Sequence, residues 1–290
     1  MWKPIACRSM LMTCSLHTQQ YSKAEEVGAD ISTLDLEDSV PMGSKEEARR
    51  LAFPFLAARR PPGTGGVLRA LRPNTLHSEE GLRDLLGLID AGARPDILMM
   101  PKVESAAELV LLDQVLERVP DIVFFPLIET AKGIQAIDEI ATAPRVRGLI
   151  LGLADLSANL SSSMVGEHMA YARTRMIYAA AAHGLQALDS PCFELHDPDA
   201  LQMEIERAAQ MGFSGKVSVH PKHIGTINAG FTPNPEEVDR ARRVLGMIRG
   251  NQGRISVIDG LMIGPPAVMK AERLLAIADR LTLGEKIVSR

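Results

Sequence analysis

The chain has 290 residues, of which 46% are hydrophobic and 23% charged, and its formal net charge is −4. This balance is typical of a soluble globular protein and does not favour a nucleic-acid partner, which a strongly basic chain would have indicated. No stretch reaches the ~18 consecutive apolar residues of a membrane-spanning helix, which excludes a membrane partner. The three cysteines are odd in number and widely spaced, which favours a reducing compartment and predicts a cytoplasmic location.

Eight apolar runs of strand length recur along the first 220 residues, with helix-sized segments between them. Most are almost continuously apolar, as expected of strands that are covered on both faces. Strands that alternate with helices predict a parallel sheet, and a count of eight favours an α/β fold closed into a (β/α)₈ TIM barrel over an open doubly wound sheet. The predicted strands are 9–13, 31–36, 67–71, 97–100, 122–127, 148–151, 186–188 and 216–219.

Helix boundaries are indicated by local signals between these runs. A serine three residues before a glutamate at 44–47 and at 105–108 has the spacing of a capping box. Asp197-Pro198 predicts the start of a helix that Gly212 ends. After Pro221 the pattern changes, and it predicts a helix over 235–250, a short strand at 255–258 and a last helix over 265–281. We therefore predict a TIM-barrel catalytic domain over 1–230 and a C-terminal helical extension over 231–290, at the subunit interface of a homo-oligomer.

Acidic residues follow the apolar runs of the fifth and sixth predicted strands. These are Glu129 and Asp155. Because the carboxyl ends of neighbouring parallel strands meet at one edge of a barrel, both carboxylates are expected side by side. Mg²⁺ suits such a pair, since it takes one or two carboxylates and leaves its other positions to water and substrate. The alternative is that one acid caps the next helix while the other is solvated.

The ends of the second and third strands supply further candidates. Glu37 and Asp38 are placed to accept hydrogen bonds from metal-held water, and Arg72 to clamp a substrate carboxylate or carbonyl oxygen with its planar fork. A metal and an arginine that converge on one oxygen stabilise the enolate formed when a carbon–carbon bond breaks next to a carbonyl. We assign Arg72, Glu37 and Asp38 as catalytic. The alternative for Arg72 is a surface arginine, and Asp35 either points into the barrel or pairs with a lysine.

Two other strand ends carry groups for which structural and functional interpretations stay open. Lys102 follows the fourth strand, where it belongs to the site or pairs with Glu104 across a helix start. His220 follows the eighth strand and precedes a proline, so it contributes to the site or stabilises a turn.

Six short motifs recur in chain order, at 34–40, 71–74, 101–105, 128–133, 152–156 and 215–221. Together they resemble those of citrate lyase β-subunit-like proteins of the HpcH/HpaI aldolase superfamily. The resemblance implies a (β/α)₈ barrel, usually trimeric or hexameric, that binds Mg²⁺ or Mn²⁺. It also implies cleavage or formation of carbon–carbon bonds in citryl-, malyl- or citramalyl-CoA, or hydrolysis of the thioester. Carried over by motif, Glu129 and Asp155 are the metal ligands, Arg72 is the oxyanion and carboxylate clamp, and the backbone amides of Ala154 and Asp155 receive a substrate carboxylate.

The chain departs from this family pattern at three places. Thr13-Cys14-Ser15 stands where the family has Val-Pro-Gly, and Asn159 stands where an acid is common. In the tail, Gly264 replaces the aspartate that in CoA-dependent members reaches a neighbour's site and exchanges a proton with the acyl carbon. Glycine cannot carry a proton, so another group substitutes or the chain does not perform Claisen chemistry on acetyl-CoA.

Three functions are therefore considered. The first is a Mg²⁺-dependent carbon–carbon lyase or aldolase that stabilises the enolate of a small 2-oxo acid such as oxaloacetate, pyruvate or glyoxylate. The second is a CoA-thioester lyase or thioesterase, with Asp259 or His220 replacing the missing acid. The third is a barrel that binds metal and a small acid without turnover. The first is preferred because the enolate-stabilising residues are intact while the CoA-specific proton donor is absent.

Overall fold

The computed structural model describes residues 7–58, 66–250, 256–258 and 261–288. These residues form two compact units: one lies between Cys7 and Asn228, and the other begins at Ala229. Within the described residues, no helix combines the length and apolar character that crossing a lipid bilayer requires.

The first unit is a closed barrel of eight parallel strands, which confirms the predicted (β/α)₈ fold. Closure is made by β1 and β8, where Met10 is the register partner of Val217, so the open doubly wound alternative is wrong. Each strand follows its predicted apolar run to within two residues. The strands are β1 Ser9–Cys14, β2 Ile31–Asp35, β3 Leu68–Arg72, β4 Ile97–Met100, β5 Val123–Ile128, β6 Gly148–Leu151, β7 Gln186–Asp189 and β8 Gly215–Ser218.

Helices lie between successive strands, and one more helix follows β8. They are α1 Lys23–Glu26, α2 Lys45–Ala57, α3 Glu79–Asp90, α4 Ala106–Val115, α5 Ala131–Gln135, α6 Ile137–Thr142, α7 Leu153–Asn159, α8 Glu167–His183, α9 Pro198–Met211 and α10 Ile224–Gly230. Short 3₁₀ turns occupy Thr18–Gln20, Met42–Ser44 and Pro221–His223.

The predicted limits of α9 are confirmed. The Asp197 side chain accepts the Ala200 N–H at 3.0 Å, and Gly212 ends the helix with a φ of +103°. The two predicted capping boxes are wrong in detail, because neither Ser44 nor Ser105 accepts a hydrogen bond from the helix that it precedes. The spacing therefore located both helix starts without giving their hydrogen bonds.

A buried aromatic ring packs against the neighbouring barrel strand. Phe125 is fully buried and faces Gly148 on the neighbouring strand β6. A β-carbon at position 148 would lie 2.5 Å from the edge of that ring. Leu127 in β5 and Glu129 just after it, two and four residues further along the chain, line a cavity. The packed layer around Phe125 therefore gives way to open space towards the carboxyl ends of the strands.

The second unit contains α11 Pro235–Gly250, a hairpin of β9 Ser256–Ile258 and β10 Leu261–Ile263, and α12 Pro265–Val288. Ala241, Val244, Ile263 and Ala271 form its buried cluster. The predicted strand at 255–258 corresponds to β9, whereas its antiparallel partner β10 was not predicted.

Gly148→Ala should destabilise the protein by about 1–3 kcal/mol, because the added methyl group overpacks a core that has no room for it. Urea unfolding followed by circular dichroism measures the change. Gly225→Ala in α10 is the matched control, since a β-carbon there meets nothing within 4 Å. Equal stability of both variants and the parent would show that the Phe125 layer accommodates an extra methyl group.

Candidate active site

A cavity of about 530 Å³ opens at the carboxyl ends of the barrel strands. Arg72, Asp38, Glu129, Ala154 and Asp155 all line it, so five of the six residues predicted for the site share one space. The sixth, Glu37, is buried beside the cavity and reaches it through contacts with Arg72.

Glu129 is held in place from two sides. Its side chain is buried, and its Oε1 accepts the backbone N–H of Lys102 at 2.9 Å. On the other side, a β-carbon at Gly152 would lie 2.6 Å from Oε2, so only glycine leaves room for this carboxylate. Lys102 has a φ of +53°, a left-handed backbone that non-glycine residues rarely adopt. The position of Glu129 therefore depends on the left-handed backbone of Lys102 after β4 and on the absence of a side chain at Gly152 after β6.

The electrostatics around Glu129 are unfavourable to its charge. Burial, the Asp155 carboxylate and the Glu37 carboxylate together raise the pKa of Glu129 to about 8, although Lys102 and Arg72 act in the opposite direction. The two predicted metal ligands are thus close enough to repel each other, and the positive side chains nearby do not fully compensate them.

Lys102 places its ammonium group among these acids. It forms an ion pair with Glu37, and its Nζ lies 3.8 Å from an oxygen of Asp38 and 3.8 Å from an oxygen of Asp155. Burial alone would lower the pKa of Lys102, but its contacts with Glu37 raise it to about 12. The alternative pairing with Glu104 is wrong, because Glu104 pairs with Lys132 at 3.1 Å.

Arg72 directs a fixed guanidinium group towards the cavity. Its Nε and Nη2 donate to the two oxygens of Asp35 at 2.6 and 2.7 Å. Its Nη1 lies 3.2 Å from Glu37 Oε2 and 3.4 Å from Asp38 Oδ2. The Arg72 side chain is only 13% exposed, so the surface-arginine alternative is wrong. Asp35 points into the barrel and pairs with an arginine, not a lysine.

The first turn of α7 carries Ala154 and Asp155. Backbone N–H groups in a first helical turn have no acceptor within their own helix, so those of Ala154 and Asp155 are free to meet an anion. The preceding N–H, of Leu153, is taken by Ser190 Oγ at 3.1 Å. At the other end of α7, Asn159 Oδ1 accepts the Ala131 N–H at 2.9 Å and ties α7 to the segment after Glu129. An aspartate would accept the same bond, so this departure leaves the local structure intact.

Sequence reasoning missed several residues of the cavity wall. Ser190 follows β7 directly, so the strand-end rule that selected Glu129 applies to it equally well. Cys14 also lines the cavity, where its thiol donates to the Ser39 carbonyl at 3.2 Å. His220 accepts the Lys222 N–H at 3.2 Å through Nδ1, which supports the turn interpretation.

The donor set fits a hard divalent cation. Glu129 and Asp155 offer carboxylate oxygens to one cavity, and the region around them has an excess of negative charge. Buried Glu37 Oε2 has no hydrogen-bond donor, since its contact with Arg72 lacks hydrogen-bond geometry. Within the described residues, no cluster of three or more His, Cys, Asp or Glu side chains could ligate a metal. A metal held here would thus use two carboxylates and complete its shell with water and substrate.

Comparison with known proteins agrees with this geometry. The sequence model of the HpcH/HpaI aldolase/citrate lyase family matches residues 8–221. The chain belongs to this family. It is 32% identical to a (3S)-malyl-CoA thioesterase of Cereibacter sphaeroides over 94% of each chain. It is 29% identical to the citrate lyase subunit beta of Escherichia coli over 94% of this chain and 93% of that one.

Among solved structures, CitE of Mycobacterium tuberculosis in complex with magnesium, acetoacetate and coenzyme A is similar, with a TM-score of 0.79 and 30% identity. The match covers 94% of this chain and 98% of that one. The family resemblance in the sequence is therefore confirmed, and the protein is a member of an enzyme superfamily of lyases and thioesterases.

Glu129→Gln should become progressively more stable than the parent as the pH rises from 5 to 8.5 in the presence of EDTA. The folded-state pKa of Glu129 is raised to about 8. The protonated Glu129 therefore contributes fully to the free energy of unfolding below its unfolded-state pKa, and this contribution is lost as the pH rises through 8. Glutamine stays neutral and avoids this loss, which amounts to several kcal/mol. Urea unfolding at several pH values measures the difference, and a difference that does not vary with pH would contradict the raised pKa.

Proposed function

We propose that this protein is a Mg²⁺-dependent carbon–carbon lyase or aldolase that stabilises the enolate of a small 2-oxo acid. The observation that carries the proposal is the convergence of the Arg72 guanidinium and the Glu129–Asp155 carboxylate pair on one cavity. Its substrate would be a small hydroxy-2-oxo acid. Its products would be a carbonyl compound and the 2-oxo acid that forms once the enolate carbon takes up a proton.

Glu129 and Asp155 are the proposed metal ligands. Their fit is supported by the excess negative charge around Glu129 and by the magnesium named in the related CitE structure. Mn²⁺ accepts the same oxygen ligands and would serve as an alternative. When bound, the metal supplies Lewis-acid stabilisation of negative charge on a carbonyl oxygen. Glu37, whose Oε2 has no hydrogen-bond donor, would accept a hydrogen bond from water at that position.

Arg72 supplies the second source of charge stabilisation. When the bond between C3 and C4 of a 4-hydroxy-2-oxo acid breaks, its electron pair moves towards the 2-oxo oxygen as the enolate forms. The Nη1 end of Arg72 would donate to this oxygen, and such a preorganised donor is worth more in a partly buried site than in water. The hydroxyl proton leaves as the new carbonyl forms, and Asp38, which lines the cavity and is 54% exposed, would accept it.

The substrate carboxylate would lie against the first turn of α7. The backbone amides of Ala154 and Asp155 are proposed to receive it, because first-turn N–H groups and the positive end of the helix dipole both favour an anion. With the carboxylate at α7 and the 2-oxo oxygen at Arg72, the reacting carbon would be held across the cavity. We further propose a trimer or hexamer in which the extension over 231–290 contacts a neighbouring subunit.

Glu129→Ala and Asp155→Ala should each abolish Mg²⁺ binding and turnover, because each removes one of the two proposed carboxylate ligands of a cation that gives up its water shell reluctantly. Isothermal titration with Mg²⁺ and a coupled assay for released 2-oxo acid measure the two properties separately. Glu139→Ala, which removes an exposed acid on α6, is the matched control. Full activity in either cavity variant would exclude the proposed metal ligands.

A CoA-thioester lyase or thioesterase is the second candidate, favoured by the 32% identity to a (3S)-malyl-CoA thioesterase. This reaction requires another proton-exchanging group in place of the family aspartate, because position 264 is a glycine. Asp259 lies outside the described residues, and His220 already uses Nδ1 to accept a backbone N–H in its turn. A third candidate, binding of metal and a small acid without turnover, is excluded as soon as one substrate is found.

The purified protein should cleave free hydroxy-2-oxo acids in an EDTA-sensitive reaction, and cleave malyl-, citramalyl- and citryl-CoA poorly. Released oxo acid is measured through a coupled dehydrogenase. Gly264→Asp should raise turnover of the CoA esters if a proton donor at this position is what the chain lacks, and leave cleavage of the free acids unchanged. Efficient EDTA-sensitive cleavage of a CoA ester by the parent would instead favour the second candidate.

A further inference from the structure

We infer that Asp35 is a positioning residue that fixes the Arg72 guanidinium with its Nη1 end towards the cavity. The inference rests on the proposed role of Arg72 and extends the site to a residue on β2. Asp35 is assigned no contact with the substrate or the metal; it acts through the orientation of Arg72.

The Asp35 carboxylate is fully occupied by N–H donors. Its Oδ1 accepts from Arg72 Nε at 2.6 Å and from the backbone N–H of Glu37 at 2.9 Å. Its Oδ2 accepts from Arg72 Nη2 at 2.7 Å and from the backbone N–H of Ser39 at 3.1 Å. The side chain is 2% exposed, and Arg72 holds the pKa of Asp35 below its usual value although burial opposes this. Asp35 is thus a charged, immobile acceptor with no remaining capacity for a ligand.

The backbone sets this arrangement before any substrate arrives. Asp35 and Arg72 are register partners at the ends of the paired strands β2 and β3, so both side chains point to the same face of the sheet. The two backbone N–H groups that bind Asp35 belong to the turn that follows β2. The carboxylate is therefore anchored to the main chain on one side and to the guanidinium on the other.

The bidentate contact decides which edge of Arg72 remains for a ligand. Nε and one N–H of Nη2 are used by Asp35, which leaves Nη1 and the second N–H of Nη2. The nearest contacts of Glu37 and Asp38 are with Nη1, at 3.2 and 3.4 Å, so both residues lie at the edge that a substrate oxygen would use. Since an unrestrained arginine loses considerable rotamer freedom on binding, prior fixation by Asp35 lowers that cost when an anionic ligand arrives.

Asp30→Asn provides a matched control for the test. Asp30 precedes β2 at the opposite end of the barrel and makes the same kind of bidentate contact, with Arg8 Nε at 2.9 Å and Arg8 Nη2 at 2.8 Å. Removing its charge perturbs a part-buried Asp–Arg pair at the start of β2, and neither residue of this pair lines the cavity.

The experiment measures binding of pyruvate in the presence of Mg²⁺, and of Mg²⁺ alone, to the full-length protein by isothermal titration. Asp35→Asn should weaken pyruvate binding roughly 10-fold or more, because an amide accepts from Arg72 with only one oxygen and no charge. Its Mg²⁺ affinity should be unchanged, and Asp30→Asn should bind pyruvate like the parent. In an Arg72→Lys background, Asp35→Asn should weaken pyruvate binding much less than it does in the parent, because lysine cannot make the bidentate contact.

The outcomes separate this inference from the proposed function. If Arg72→Ala binds pyruvate like the parent, the proposed role of Arg72 is wrong. If Arg72→Ala loses pyruvate binding while Asp35→Asn keeps it, the proposed role of Arg72 stands and the positioning role of Asp35 is overturned. Equal losses in Asp35→Asn and Asp30→Asn, or a parallel loss of Mg²⁺ affinity, would assign Asp35 a purely structural role.

Asp35→Glu covers the case in which Asp35→Asn does not fold. It keeps the charge but displaces the guanidinium by one methylene group, so it should fold and still bind pyruvate more weakly than the parent. Parent-like pyruvate affinity in this variant would overturn the inference, because the position of Arg72 would then be unimportant.

Discussion

A buried carboxylate without a matching positive charge is the constraint on which this site depends. Glu129 has its pKa raised to about 8 even though Arg72 and Lys102 both act to lower it. Carrying its charge in this position has a free-energy cost that the protein alone does not remove. The barrel holds Asp155 close enough to increase that cost, and an arrangement that concentrates like charges at one place is typical of a site completed by a ligand of opposite charge.

The neighbouring backbone departs from ordinary conformations in order to hold that carboxylate. Lys102 adopts a left-handed conformation and thereby aims its N–H at Glu129, while Gly152 provides the space that any side chain would fill. Both residues follow strands that are otherwise regular and fully buried. A left-handed non-glycine residue and a glycine at the ends of well-formed strands are expected where function, not stability, determines the residue.

Much of this molecule could be predicted from its sequence, because each barrel strand is an almost continuous apolar run and the site lies where those runs stop. That rule located Arg72, Glu129 and Asp155 in one cavity. It did not give the partners of side chains far apart in sequence, such as Asp35 with Arg72 or Lys102 with Glu37. These pairs depend on strand register and on one left-handed residue, neither of which leaves a periodic signal in the chain. The same limit explains why β10 was missed, since three residues are too few to show a pattern.

The proposed choice of reaction depends on which residues of the family pattern this chain has and which it lacks. Arg72, Glu129 and Asp155 converge on one cavity, whereas Gly264 stands where the family resemblance expects an aspartate. Breaking a carbon–carbon bond beside a carbonyl and adding water to a thioester both place negative charge on an oxygen. A barrel that stabilises this charge therefore suits relatives named as lyases and relatives named as thioesterases. The two reactions differ in the group that delivers or removes the proton. Under the proposed function, a change confined to that group would therefore alter the substrate while Arg72 and the two carboxylates keep their roles.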